Sequence, residues 1–162
     1  MIDNYNLRFV IDSDIPIVRD IYNYYVINGV AAYSEKEVDL DFFLKMKKEA
    51  LSFYILEINN EIVGFCVLRN YLPYENFRHT GLLTYFIKFK LTNKGYGSIL
   101  YEKLIEDAKR YGIKTLIVHL SSLNSLSINF HKKHGFKECG RFKNIAKKFN
   151  QDFDIIWMQK FI

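Results

Sequence analysis

Between residues 80 and 112 the chain passes from a β-rich run, TGLLTYFI, through K-F-K-L-T-N-K-G-Y-G into an amphipathic run, SILYEKLIEDAKRYG. That succession specifies a strand, a tight connection and a helix. Ile99, Leu100, Leu104, Ile105 and Ala108 share one helical face, and Gly112 suits the left-handed residue that ends such a helix. Small residues where a strand yields to a helix let backbone N–H groups point outward together. With the positive helix end they make an anion site. The spacing is not a dinucleotide fingerprint, whose third glycine would fall at Leu100, and no Gly-Lys-Ser/Thr of a phosphate loop is present. Taken alone, Gly95-Tyr96-Gly97 also suits a plain tight turn.

The flanking pattern predicts one α+β domain over residues 1–162, with hairpins first and a strand–helix–strand crossover after them. NLRFVI reads as a strand, followed by a helix capped at Ser13 or Asp14, with Pro16 in its first turn and its end near Asn28-Gly29. Asp39 or Asp41 opens a second helix. SFYILEI and EIVGFCVLRN flank an Asn59-Asn60 turn as a hairpin. After the Gly95–Gly97 helix come the strand IKTLIVHL, a short helix capped by Asn124 or Ser125 and ended by Gly135, and the strands KECGRF and FDIIWMQKFI.

Composition narrows the class. With 49% apolar and 25% charged residues the chain is neither disordered nor fibrous. No stretch approaches the roughly 18 apolar residues of a membrane span, and the acidic, mixed N-terminus suits neither a secretory nor a transit signal. Cys66 and Cys139 match neither a disulfide framework nor a zinc spacing. A soluble, cytoplasmic protein without a metal or a membrane partner is expected. Residues 1–87 carry 8 basic and 12 acidic side chains, whereas residues 88–162 carry 15 and 6. The basic half is compatible with a solvated surface, a nucleic-acid face or a pocket for a smaller polyanion.

Four segments together resemble the GNAT superfamily of acyl-CoA-dependent N-acetyltransferases, and within it the phosphinothricin and methionine sulfoximine acetyltransferase branch. They are LRFVIDSDIPIVRDIYNYYV, FRHTGLLTYFIKFKLTNKGYGSILYEKLIEDAKRYGIKTLIVHL, LNSLSINFHKKHGFKECGRF and KKFNQDFDIIWMQK. The resemblance implies a mixed, mostly antiparallel sheet of six to seven strands with about four helices, splayed between strands 4 and 5. It implies acetyl-CoA as cosubstrate, held by backbone groups of Tyr85, Phe86 and Ile87, by the loop Asn93, Lys94, Gly95, Tyr96, Gly97 and Ser98, and by Asn124 and Ser127. The basic half of the chain contains these segments, so a nucleic-acid partner is not expected. A homodimer and direct acetyl transfer to the primary amine of a small amino-acid-like substrate are also implied.

Two loop positions depart from that pattern: Thr92 stands where the family usually has Arg or Gln, and Asn93 where it often has Gly. Asn tolerates left-handed backbone geometry better than most residues, so the turn is expected to survive.

Acyl transfer to an amine needs a neutral nucleophile, a polarised carbonyl and a proton for the leaving thiolate. By the resemblance Leu82 occupies the position of the family's general-base Glu, and leucine accepts no proton. His79 and Glu75 are the nearest titratable substitutes. A weakly basic amine, or a non-catalytic acyl-CoA-binding module, are the other readings. His131 stands where many members carry a Tyr and is the candidate proton donor to sulfur. Arg78, in an R-H-T triplet, is the candidate clamp for a substrate carboxylate. Tyr33, Lys148 and Asp154 are candidates for the same cleft or a subunit contact. His119 and His134 read as strand and surface positions, and Cys66 as core.

Overall fold

A computed structural model describes residues 4–162. Strands β1 (Tyr5–Phe9), β2 (Ala50–Ile58), β3 (Glu61–Asn70), β4 (Thr80–Ile87), β5 (Thr115–Ser121), β6 (Lys137–Lys148) and β7 (Gln151–Phe161) form one seven-stranded sheet. Its order is β1-β2-β3-β4-β5-β7-β6, and every neighbouring pair is antiparallel except β4–β5. Helices α1 (Ile15–Asn28), α2 (Leu40–Glu49), α3 (Tyr96–Arg110) and α4 (Ser125–Lys133) connect them. Strand count, helix count and the mixed pairing agree with the sequence reading.

Alternation along the strands divides the core in two. Phe53, Ile55, Phe65 and Val67 meet Val18 and Ile21 of α1 and Phe43 and Met46 of α2 on one face. Leu56, Cys66, Leu68, Leu83, Leu116 and Val118 meet Ile99, Leu100 and Leu104 of α3 on the other. Leu100 and Leu104 are fully buried, and each such side chain contributes about 2 kcal/mol.

The ends of these elements follow local chemistry. Asp39 caps α2 by accepting from the Phe42 N–H at 3.0 Å. Asp14 stands at the N-cap position of α1, but its carboxylate takes the Ile11 N–H at 2.9 Å and the Arg8 guanidinium at 2.8 Å. Arg8 also reaches Glu57 at 2.8 Å, tying β1, β2 and the entry to α1 together. At the end of α3, the Ile113 N–H bonds to Ala108 O and the Gly112 N–H to Lys109 O around a left-handed Gly112. Asn59 and Asn60, both at positive φ, close the β2–β3 hairpin as the sequence predicts.

The last hairpin exceeds its expected length. KECGRF was expected to end near Phe142, yet β6 continues to Lys148 through a bulge between Phe142 and Ala146, with Asn144 at φ 48°. The carboxylate of Asp154 accepts the Asn144 N–H at 2.8 Å and faces Arg141 at 3.1 Å, stabilising that bulge. Lys148, 1% exposed, donates to Ala32 O at 2.7 Å and Tyr25 O at 3.3 Å. It fastens the hairpin tip to the segment after α1, and burial holds its ammonium below the usual lysine range.

One irregularity positions everything that follows. β4 and β5 pair in parallel only at Thr80–Thr115, Gly81–Leu116 and Leu82–Ile117, and then separate. No helix among the described residues is long and apolar enough to cross a membrane.

Candidate active site

A cleft of about 720 Å³ opens where β4 and β5 part. One mouth lies at the start of α3. Asn93 adopts φ 61° and Gly95 φ 86°, so the loop alternates through left-handed geometry before the helix begins. The Ser98 N–H turns back to Gly95 O at 3.0 Å, and Gly95, Gly97 and Ser98 line the cleft at this helix start, whose first N–H groups lie ahead of the regular helical ladder. A side chain added at Gly97 would meet the Phe130 ring at 3.4 Å. Asn124, whose side chain accepts the Ser127 N–H at 3.2 Å to cap α4, lines the same end with Ser127 and Lys133.

Midway, Tyr85 of β4 meets His131 of α4. Nδ1 of His131 faces the Ser127 carbonyl at 2.6 Å and so carries the proton, which leaves Nε2 to accept from the Tyr85 hydroxyl. Burial pushes the imidazole down to about 4 and the phenol well above its usual range. Both groups are therefore neutral at pH 7. The Tyr25 hydroxyl, raised by burial to about 12, donates to Ile87 O at 2.6 Å.

The far end lies on the α1/α2 face of the sheet and is aromatic, lined by Tyr22, Tyr33, Phe42 and Phe86. Two polar side chains enter it. The guanidinium of Arg69 in β3 makes no hydrogen bond or ion pair among the described residues, and its buried Nε has no acceptor. Burial lowers its guanidinium from the ordinary value. His119 of β5 contacts the Tyr33 hydroxyl through Nδ1 at 3.0 Å.

The positions singled out by the sequence thus divide. Tyr85, Phe86, Ile87, Asn93, Gly95, Gly97, Ser98, Asn124, Ser127 and His131 come together along the cleft, whereas Lys94 and Tyr96 do not line it. Tyr96 turns its ring into the core, and Lys94 is exposed. Thr92 lines the cleft and uses its hydroxyl to bond Phe89 O at 2.9 Å. Arg78 is exposed and paired with Glu75 at 2.9 Å, and His79 is exposed just before β4, so none of these three lines the cleft; nor does Leu82, which sits in the β3–β4–β5 ladder before the strands part. Tyr33 lines it, whereas Lys148 and Asp154 serve the β6–β7 hairpin.

Arg69 and His119 escaped the sequence reading. Their signal was the register. Arg69 pairs with Leu82, Leu82 pairs with Ile117, and His119 follows Ile117 on the same face.

Comparison with known proteins agrees with this architecture. The profile described as "Acetyltransferase (GNAT) family" matches residues 18–136, and the chain belongs to that family of acyltransferases. An L-methionine sulfoximine/L-methionine sulfone acetyltransferase of Salmonella typhimurium is 26% identical over 157 residues, covering 94% of this chain and 92% of its own. A phosphinothricin N-acetyltransferase of Alcaligenes faecalis is 26% identical over 159 residues, covering 95% and 81%. Among solved structures, a ribosomal-protein-alanine N-acetyltransferase from Brucella melitensis superimposes with a TM-score of 0.88 at 29% identity, covering 97% of this chain and 99% of its own. A Salmonella typhimurium acetyltransferase determined with its cofactor acetyl-CoA shares the fold with a TM-score of 0.90 at 24% identity, over 98% and 94%.

Proposed function

We propose that the protein transfers an acetyl group from acetyl-CoA to the primary amine of a small amino-acid-like acceptor, directly, with both substrates bound together. The observation that carries this reading is the cleft between the parted β4 and β5, ending at the start of α3. The residues present fit acetyl-CoA. Left-handed Asn93 and Gly95 present the turn, Gly97 keeps the wall free of a side chain, and Lys133 adds positive charge. The Asn93–Ser98 loop would hold the diphosphate, β4 the pantetheine arm, and Asn124 and Ser127 the α4 side. When bound, acetyl-CoA supplies the thioester carbonyl that the amine attacks.

The chain's own groups supply the rest. His131, neutral, with Nδ1–H on Ser127 O and Nε2 without a proton, is not placed to donate as the sequence suggested; the Tyr85 hydroxyl it accepts from would instead turn from Nε2 to protonate the departing sulfur. Arg69, without a partner in an aromatic pocket, suits the carboxylate of the acceptor in the role first given to Arg78. The names of the related acetyltransferases, which act on amino-acid analogues, support that class of acceptor. A homodimer is supported by the sheet-edge strand β6, which exposes Phe142 and Ile145.

Calorimetry with acetyl-CoA, followed by thiol release with L-methionine sulfone and the common L-amino acids, tests the proposal. Binding followed by turnover is the expected result. Binding without turnover of any amine favours the second reading, a non-catalytic acyl-CoA-binding module, which Leu82 suggests. Absence of binding removes both.

A further inference from the structure

Leu82, which does not itself line the cleft, offers no carboxylate where a base was expected, and the register supplies a substitute. Ile117 pairs with Leu82, and His119 is the next residue of β5 directed to that face, just beyond the point where β4 and β5 separate. The ring borders the cleft, stacks on Tyr33 with centroids 5.5 Å apart and leans on Trp157 at 4.8 Å. Its Nδ1 is engaged by the Tyr33 hydroxyl, and Nε2 has no hydrogen-bond partner among the described residues. Resting on the acyltransfer reading above, we propose that His119 is the proton acceptor of the reaction, Nε2 taking a proton from the acceptor amine.

The setting suits that duty. Burial keeps the Tyr33 phenol protonated, so its oxygen can accept from Nδ1–H and leave a lone pair on Nε2. The titratable and charged groups facing the imidazole are Tyr33, from the segment after α1, and Arg69, from β3; β7 presents the neutral Trp157 ring. Burial first, and the Arg69 charge second, hold His119 below its ordinary value, so the ring is neutral at pH 7. An acceptor carboxylate seated on Arg69 cancels that repulsion and strengthens the base once the acceptor is bound. An acceptor arriving as R–NH₃⁺ gives one proton to Nε2, and this proton later passes to solvent. The nitrogen lone pair forms the C–N bond while the thioester C–S bond breaks; Tyr85 protonates the departing sulfur, and the second amine proton replaces the one Tyr85 has given up.

The test compares the wild type with His119→Gln and His119→Asn. With the best amino acid of the panel above, kcat/KM is expected to fall ~10²-fold or more in both variants. The acid limb of the pH–rate profile should move or vanish. Hydroxylamine, an amine already unprotonated at pH 7, should lose far less. Two further readouts do not depend on turnover. NMR titration of the free wild-type protein should show the His119 ring neutral at pH 7, and the calorimetric affinity for acetyl-CoA should be unchanged in the variants. Variants that keep wild-type kcat/KM and pH profile overturn the proposal, as does an imidazole found charged at pH 7. Equal losses with both kinds of amine also overturn it. Failure of the wild type to bind acetyl-CoA, or to turn over any amine, overturns the acyltransfer reading and this proposal with it.

Discussion

Arg69 lies directly across the β3–β4 ladder from Leu82. A carboxylate placed at residue 82 would therefore face a guanidinium with no other partner among the described residues. Leu82→Glu is expected to form that cross-strand ion pair, which holds the new carboxylate ionised and makes it a poor base. It also withdraws Arg69 from the acceptor. Activity on carboxylated amines should fall rather than rise, with KM increased about tenfold or more and acetyl-CoA affinity preserved. Steady-state kinetics and calorimetry on the purified variant check this.

Gly97 faces the cleft with the Phe130 ring behind it. Gly97→Val places two methyls beyond a Cβ that already meets the Phe130 ring at 3.4 Å, narrowing the cleft at this point. The expected outcome is loss of acetyl-CoA binding by about tenfold or more, with far-ultraviolet circular dichroism unchanged. Retained affinity would contradict the placement of the diphosphate at this helix start.

Tyr85→Phe removes the donor to Nε2 of His131, leaving a buried acceptor unmatched. Such a loss costs about 1–3 kcal/mol of stability, read as a lowered melting temperature. If the phenol also supplies the sulfur's proton, kcat falls about 10²-fold while acetyl-CoA affinity changes little. Loss of stability with kcat retained would assign the pair a purely structural role.

Acid should unfold the protein in two windows. His131 titrates at about 4 in the fold, against about 6.5 when unfolded, so its contribution declines as pH drops from 6.5 towards 4. Asp14 is depressed chiefly by its hydrogen bonds with Arg8, so its contribution is intact above the unfolded value near 4 and declines below it. Asp14→Asn is expected to cost about 2 kcal/mol at pH 7 and to flatten the lower window. Calorimetric scans from pH 7 to pH 2 on both proteins read this directly.

How legible each part was depended on how local its cause is. The Asn59-Asn60 hairpin, the Gly112 terminator and the Asp39 cap are encoded within a few residues, and the structure contains them as expected. The Gly95–Gly97 turn was legible for the same reason, including the left-handed Asn93. The acceptor end was not, because Arg69 and His119 lie 50 residues apart and share a face only through the ladder running across Leu82 and Ile117. Arg78 was favoured by its triplet, yet it follows a 3₁₀ turn, Glu75–Phe77, that directs it to Glu75. The bulge in β6 depends on Asp154 in the next strand and left no mark within KECGRFKNIAKK itself.

Because the ladder between β4 and β5 halts at Leu82–Ile117, the centre of the sheet is missing hydrogen bonds that every other interior seam possesses. A slender, amide-bearing guest laid into that gap would act as an eighth strand and knit the two halves together. The empty protein should accordingly be the softer form: within Thr84–Ile87 and Val118–Ser121, the alternate amide protons that point into the gap rather than to β3 or β7 should exchange quickly until the guest arrives. At a hundredfold excess over its dissociation constant, that guest would add about 2.7 kcal/mol of resistance to unfolding.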